Sequence, residues 1–114
     1  MSIRKVYVSA PYTAPTPEQV QAHVDAATAV GLQVRAAGFV PVVPHIAIVP
    51  SPDLTWDLAM DECLALLADC HACLMIGDWH HSKGARAELA FSEGSGIPVF
   101  YNLADLCVSL EARP

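Results

Sequence analysis

The sequence predicts an α/β fold: a three-layer α/β/α sandwich, Rossmann/flavodoxin-like, on a parallel sheet of about four to five strands. Two observations carry that prediction. Short apolar runs such as Val6-Tyr7-Val8 and Cys73-Leu74-Met75-Ile76 alternate along the chain with long helical segments. The runs are also continuously apolar rather than alternating with polar positions, as expected of parallel strands covered on both faces. The 114 residues contain no repeat, low-complexity tract or composition break, so 1–114 is one domain with its own core.

The elements follow in order. Ile3 to Ser9 is the first strand, and the prolines of Ala10-Pro11-Tyr12-Thr13-Ala14-Pro15 stop it in a loop. Thr16-Pro17-Glu18 opens a helix, with threonine as N-cap, proline at the first position and an acid in the first turn. That helix runs to about Ala37 and ends at Gly38. Phe39 to Val43 is the second strand, and Pro44-His45 through Pro50-Ser51-Pro52 reads as a long loop. A helix from near Leu54 to Ala68, a strand from His71 to Gly77 and an exit loop Asp78-Trp79-His80-His81 come next. The Ser82 helix extends to about Ser95, Ile97 to Tyr101 is the fourth strand, and Leu103 to Leu110 a last short helix.

Ligands of such sheets lie beyond the carboxyl ends of the strands. Those ends are Ser9 to Tyr12, Pro44-His45, Gly77 to Ser82 and Tyr101-Asn102. In Ser82-Lys83-Gly84-Ala85-Arg86-Ala87-Glu88, a serine followed by small residues at a helix start leaves backbone N–H groups for an anion. Ser82, Gly84 and Ala85 are therefore candidate anion ligands. Glu88 lies on a small, apolar helix face between Ala85 and Phe91, where lost hydration raises a carboxyl pKa. Asp61 lies between Leu58 and Leu64, along what reads as the apolar edge of its own helix, and two such acids can face one crevice. Each acid alone also fits a solvated helix position.

Tyr7 reads as a buried tyrosine whose hydroxyl can reach an acid at the strand end. Ser9 and Tyr12 close that strand and open its loop, where both are candidate ligand contacts, and Tyr12 can contact a ring. His45 fits a base or phosphate contact, or an ordinary loop histidine. Trp79 offers a stacking surface or plain packing. Cys70-His71-Ala72-Cys73 with His80 and His81 raises a metal reading, but this C-x-x-C enters a strand whose alternate side chains diverge. No metal and no cofactor are expected. Cys63 and Cys107 read as small core residues.

Composition narrows the partners. A net charge of −6 with six scattered basic residues excludes a nucleic-acid polymer as the main partner but permits a small anion. No apolar run approaches the ~18–20 residues of a membrane span, and Met1-Ser2-Ile3-Arg4-Lys5 is unlike a signal peptide, so a cytoplasmic location with reduced cysteines is expected. Hydrophobic residues make up 54% and charged residues 16%, an apolar surplus that predicts a homodimer or higher homo-oligomer.

Taken in order, Val6-Tyr7-Val8-Ser9-Ala10-Pro11-Tyr12, Gly38-Phe39-Val40-Pro41 with Pro44-His45, Trp56 to Asp61 with Ala68-Asp69-Cys70, and Gly77-Asp78-Trp79 with Ser82-x-Gly84-Ala85-x-x-Glu88 resemble the nucleoside 2-deoxyribosyltransferase-like superfamily. The resemblance is to its small phage and bacterial members and covers most of the chain. It implies that Glu88 attacks the anomeric carbon of a ribose or deoxyribose, that Asp61 assists the base, that Tyr7 orients the glutamate and that Ser82 contacts a 5′-phosphate. It further implies a small-molecule nucleotide or nucleoside as ligand, and an N-glycosidase acting on a nucleoside 5′-monophosphate through a glycosyl-glutamate intermediate. A deoxyribosyltransferase and a non-catalytic nucleotide-binding module are the alternatives. The sequence departs from the pattern at Ala87, where characterised members often carry a bulky aromatic residue.

Overall fold

The computed structural model describes residues 3–111, so expectations that touch Met1, Ser2 or the last three residues lie outside the described residues. The elements are β1 (Lys5–Ser9), α1 (Pro17–Ala36), β2 (Val40–Val42), α2 (Pro44–Ala47), α3 (Trp56–Ala68), β3 (Ala72–Met75), α4 (Lys83–Ser95), β4 (Val99–Phe100) and α5 (Leu103–Glu111). A single 3-10 turn, Trp79–His81, lies between β3 and α4. The four strands form one parallel sheet in the order β2-β1-β3-β4. The α/β sandwich is thus as expected.

Strand periodicity builds the layers. Successive side chains of a strand point to opposite faces, and both β1 and β3 are buried on both. Val6, Val8, Ala72 and Leu74 pack with Ala27 and Val34 of α1 and Leu106 of α5. Tyr7, Cys73 and Met75 pack on the other face with Leu67 of α3 and Ala85 of α4. The expected divergence of Cys70 and Cys73 does not occur. Strand β3 begins only at Ala72, so Cys70 precedes it and joins the same core cluster as Cys73.

Three helix starts follow hydroxyl caps: Thr16 accepts from the Gln19 amide at 3.2 Å, Thr55 from Leu58 at 3.1 Å and Ser82 from Ala85 at 3.1 Å. The segment after β2, expected as loop throughout, begins with the short helix α2. Pro44 needs no N–H donor partner at a first helical position, and its carbonyl accepts from the Ile48 amide at 3.1 Å. Pro41 sits in β2 at the sheet edge, where a missing donor is tolerated.

The chain steps from β1 outward to β2, then crosses to β3 on the other side of β1. That reversal opens a crevice beyond the carboxyl ends of β1 and β3. Gly77 turns the chain there with φ of 64°, a left-handed conformation that favours glycine. No helix among the described residues is long and apolar enough to cross a membrane.

The two cores predict separable losses. Leu67 and Leu106 are both fully buried but lie on opposite faces of the sheet. Leu67→Ala and Leu106→Ala should each cost about 2–5 kcal/mol in chemical denaturation, and the double variant should lose the sum. The half-exposed Leu32 should tolerate alanine within about 0.5 kcal/mol.

Candidate functional site

Tyr7 and Ser9 are two residues apart on β1, so both side chains leave the same face of the sheet. Helix α4 crosses that face with Ala85, Glu88 and Ser92 as its buried residues. The small side chains before and after Glu88 let the helix lie close, and its carboxylate then meets both β1 hydroxyls. Tyr7 Oη donates to Glu88 Oε2 at 2.6 Å and Ser9 Oγ donates to Oε1 at 2.6 Å. Ser92 Oγ donates to the Glu88 backbone carbonyl at 2.9 Å, tying in the next turn.

Glu88 is only 5% exposed. Burial raises its carboxyl above the ordinary range, while the bonds from Ser9 and Tyr7 work in the opposite direction. Tyr7 is driven far above a normal phenol, first by burial and then by the Glu88 charge, so it remains an O–H donor. Burial also pushes the Cys63 thiol up to about 11.

Glu88 forms part of the wall of a cavity of about 650 Å³. Its other walls come from Ala10 to Thr13 after β1, Pro44 and His45 after β2, the first half of α3, and Asp78 with His81 to Ala85 after β3. The loop after β1 is held by two imidazoles. His45 Nε2–H donates to the Pro11 carbonyl at 2.8 Å, and His23 Nδ1–H donates to the Tyr12 carbonyl at 3.0 Å. This fixes the His45 tautomer and leaves Nδ1 as an acceptor, buried and without a partner. Burial lowers the His45 pKa, which favours that neutral form.

The structure brings together most of the expected residues. Glu88, Tyr12, His45, Ser82, Gly84 and Ala85 line the cavity, and Tyr7 lies behind Glu88. Four placements differ. Ser9, expected to touch ligand, is fully buried beneath Glu88. Asp61 is exposed and outside the cavity wall, because the inward stripe of α3 is Trp56, Met60 and Cys63 rather than the face marked by Leu58 and Leu64. Trp79 also lies outside the wall. It stacks on His80 with ring centroids 3.8 Å apart, 5.6 Å from Tyr101, and packs against the α3–α4 core. The Ala85 amide is bonded to Ser82 Oγ, which leaves the amides of Lys83 and Gly84 and the Ser82 O–H proton for an anion.

Sequence reasoning passed over Lys83, Asp78 and Cys63. Lys83 is the unspecified position inside the serine–glycine motif, and its ammonium sits 4.3 Å above the Trp56 ring at the cavity mouth. Asp78 and His81 face one another at 3.6 Å on the same rim. Among the described residues no group of three or more His, Cys, Asp or Glu side chains is placed to hold a metal ion.

The family described as Domain of unknown function (DUF4406) matches residues 4–101. Among solved structures, a 2-deoxyribosyltransferase from the psychrotolerant bacterium Bacillus psychrosaccharolyticus superposes with a TM-score of 0.61 at 22% identity, over 88% of this chain and 78% of that one. This likeness is one of fold. No curated protein matches.

The raised Glu88 carboxyl predicts a pH-dependent stability. The folded chain holds this proton more tightly than the unfolded chain, so the contribution is full below the ordinary carboxylate range. It is lost as pH rises through the raised folded value. Glu88→Gln removes that titration. Relative to the variant, the natural protein should lose unfolding temperature as pH rises from the ordinary carboxylate range through the raised titration of Glu88. Parallel profiles would contradict the assignment.

Proposed function

From the premise that the chain belongs to the DUF4406 family, and from the site it builds, we propose that it is an N-glycosidase cleaving the base–sugar bond of a ribo- or deoxyribonucleoside 5′-monophosphate. One observation carries the proposal: a buried carboxylate, held through both oxygens by β1 hydroxyls, lies in a cavity wall one and a half helical turns from a capped helix start. Such a carboxylate is fixed in orientation and poorly hydrated, which suits a nucleophile. A solvated structural acid has no need of two buried hydroxyl donors.

In the first step a Glu88 oxygen forms a bond to C1′ as the C1′–N bond breaks. The bonding pair leaves with the base nitrogen, which takes a proton. Asp61 was the expected source; the Asp78–His81 pair on the cavity rim is the better placed one. Water then attacks C1′ of the glycosyl ester, gives up a proton to the Asp78–His81 pair that protonated the base, and releases the Glu88 carboxylate. Tyr7 and Ser9 hold the carboxylate through both steps. The phosphate lies at the start of α4, against the Lys83 and Gly84 amides and the Ser82 hydroxyl, with the Lys83 ammonium as its cation. His45 Nδ1 accepts a hydrogen bond from ligand. If a second base replaces water, the same first step becomes deoxyribosyl transfer.

Incubation with a panel of nucleoside and deoxynucleoside monophosphates, followed by chromatography, should reveal free base. Glu88→Ala should reduce that release about a thousandfold or more while the far-ultraviolet circular dichroism stays unchanged. Release that survives the substitution rules out Glu88 as nucleophile. Lys83→Met should raise KM for a monophosphate about tenfold with little change in kcat, and should leave the corresponding nucleoside unaffected. Equal effects on both substrates would show that Lys83 does not contact phosphate.

A further inference from the structure

Two residues at the cavity mouth meet as cation and ring, and only Lys83 has a part in the scheme above. Trp56 is the first residue of α3 and Lys83 the first of α4. Hydroxyl caps fix both helix starts, Thr55 accepting from the Leu58 amide and Ser82 from the Ala85 amide. The two helices are close here. A Cβ at Gly84 would lie 3.4 Å from the sulfur of Met60, one turn along α3 from Trp56. The Lys83 ammonium lies 4.3 Å from the centre of the Trp56 ring, and both residues line the cavity.

A lysine in this position has little else to hold it. A cation at a helix start opposes the macrodipole, which is positive at that end. Among the described residues no carboxylate is paired with this ammonium, and the pair on the rim is Asp78 with His81. Lysine is otherwise a strongly hydrated charge on a flexible four-carbon stem. The ring face gives that charge an attractive resting place. Unlike a carboxylate, it leaves the charge uncancelled.

We infer that Trp56 is the positioning residue for Lys83, holding its ammonium at the cavity mouth for the phosphate of the ligand. The inference rests on the reading of Lys83 as the cation of the phosphate. Less side-chain freedom is then lost when the phosphate arrives. Discrimination between a nucleoside 5′-monophosphate and the bare nucleoside becomes the work of two residues from two helices.

The test uses ribose 5-phosphate, which carries the phosphate but no base to stack or release. The chain has two lysines, Lys5 and Lys83. Full-length protein labelled with carbon-13 lysine therefore gives two sets of side-chain resonances, assigned by Lys83→Met. The indole should move the Lys83 ε-methylene protons upfield of those of Lys5, and Trp56→Leu should remove that displacement. In titrations followed through these signals or by calorimetry, Trp56→Leu should weaken ribose 5-phosphate binding about two- to fivefold. Trp56→Phe should recover part of the loss. In a Lys83→Met background, Trp56→Leu should cost nothing further.

Unchanged affinity in Trp56→Leu would overturn the inference and leave the ring to stack on a base. Tighter binding would overturn it too, because the ring would then compete with the phosphate for the cation. An equal loss in the Lys83→Met background would show that Trp56 acts on ligand or fold without Lys83. Failure of the natural protein to bind ribose 5-phosphate also overturns it. Base release is a separate measurement: binding through this pair with no base freed from any nucleotide refutes the glycosidase and keeps the pair. If Trp56→Leu fails to fold, biosynthetic replacement of tryptophan by its mono-, di- and trifluorinated forms decides the matter. Fluorine draws electron density from the ring and nearly preserves its shape. Affinity that falls with each fluorine supports the inference, and a flat series overturns it.

Discussion

The burial of one carboxylate shapes the structure around it. An ionised Glu88 at 5% exposure is costly unless its oxygens are hydrogen-bonded. The fold supplies those bonds from its most protected element. β1 is flanked on both sides by parallel partners, and its Tyr7 and Ser9 are fully buried. Only a helix lying directly over β1 brings an acid to both, and Ala85 and Ser92 keep α4 slim enough to do so. The strand order, the small residues of α4 and the polarity of one face of β1 are thus linked through a single side chain.

The cavity around Glu88 has a clear division of labour. Its floor is buried and holds the carboxylate, whereas its mouth gathers the exposed polar groups Lys83, Asp78 and His81. On the opposite wall, two histidines brace backbone carbonyls of the β1 exit loop. His45 therefore has two tasks, one nitrogen fixing the loop and the other left as an acceptor. This pairing adds to the packing of Ala10 in the core and gives the loop a defined position.

Much of this was legible in the sequence, for physical reasons that also mark its limits. Continuous apolar strands and capped helices identified the sandwich, because burial on both faces leaves a strong local pattern. Tyr7 read as a buried strand hydroxyl and Glu88 as a carboxylate on a small-residue helix face, and the family resemblance implied that the two meet. Asp61 was misplaced because apolar neighbours on a helix do not say which partner they face: Leu58 is itself 44% exposed. Ser9 was assigned to ligand because sequence does not reveal how far under a helix a strand end runs. Cys63 was read as core, and it does pack against the Tyr7 cluster; that it also lines the cavity was hidden because β1, α3 and α4 meet only on folding.

Ser82 and Glu88 belong to one uninterrupted helix and its cap, and this gives the site a built-in ruler. Six residues at a rise of about 1.5 Å separate them by about 9 Å along the axis. A single residue added between these two would swing the carboxylate about 100° around the helix and away from β1. The length of molecule that can bridge the two ends is therefore held by backbone geometry rather than by any side chain. The residues at the mouth carry no such constraint, because the span from the helix cap to the carboxylate is set by α4 alone.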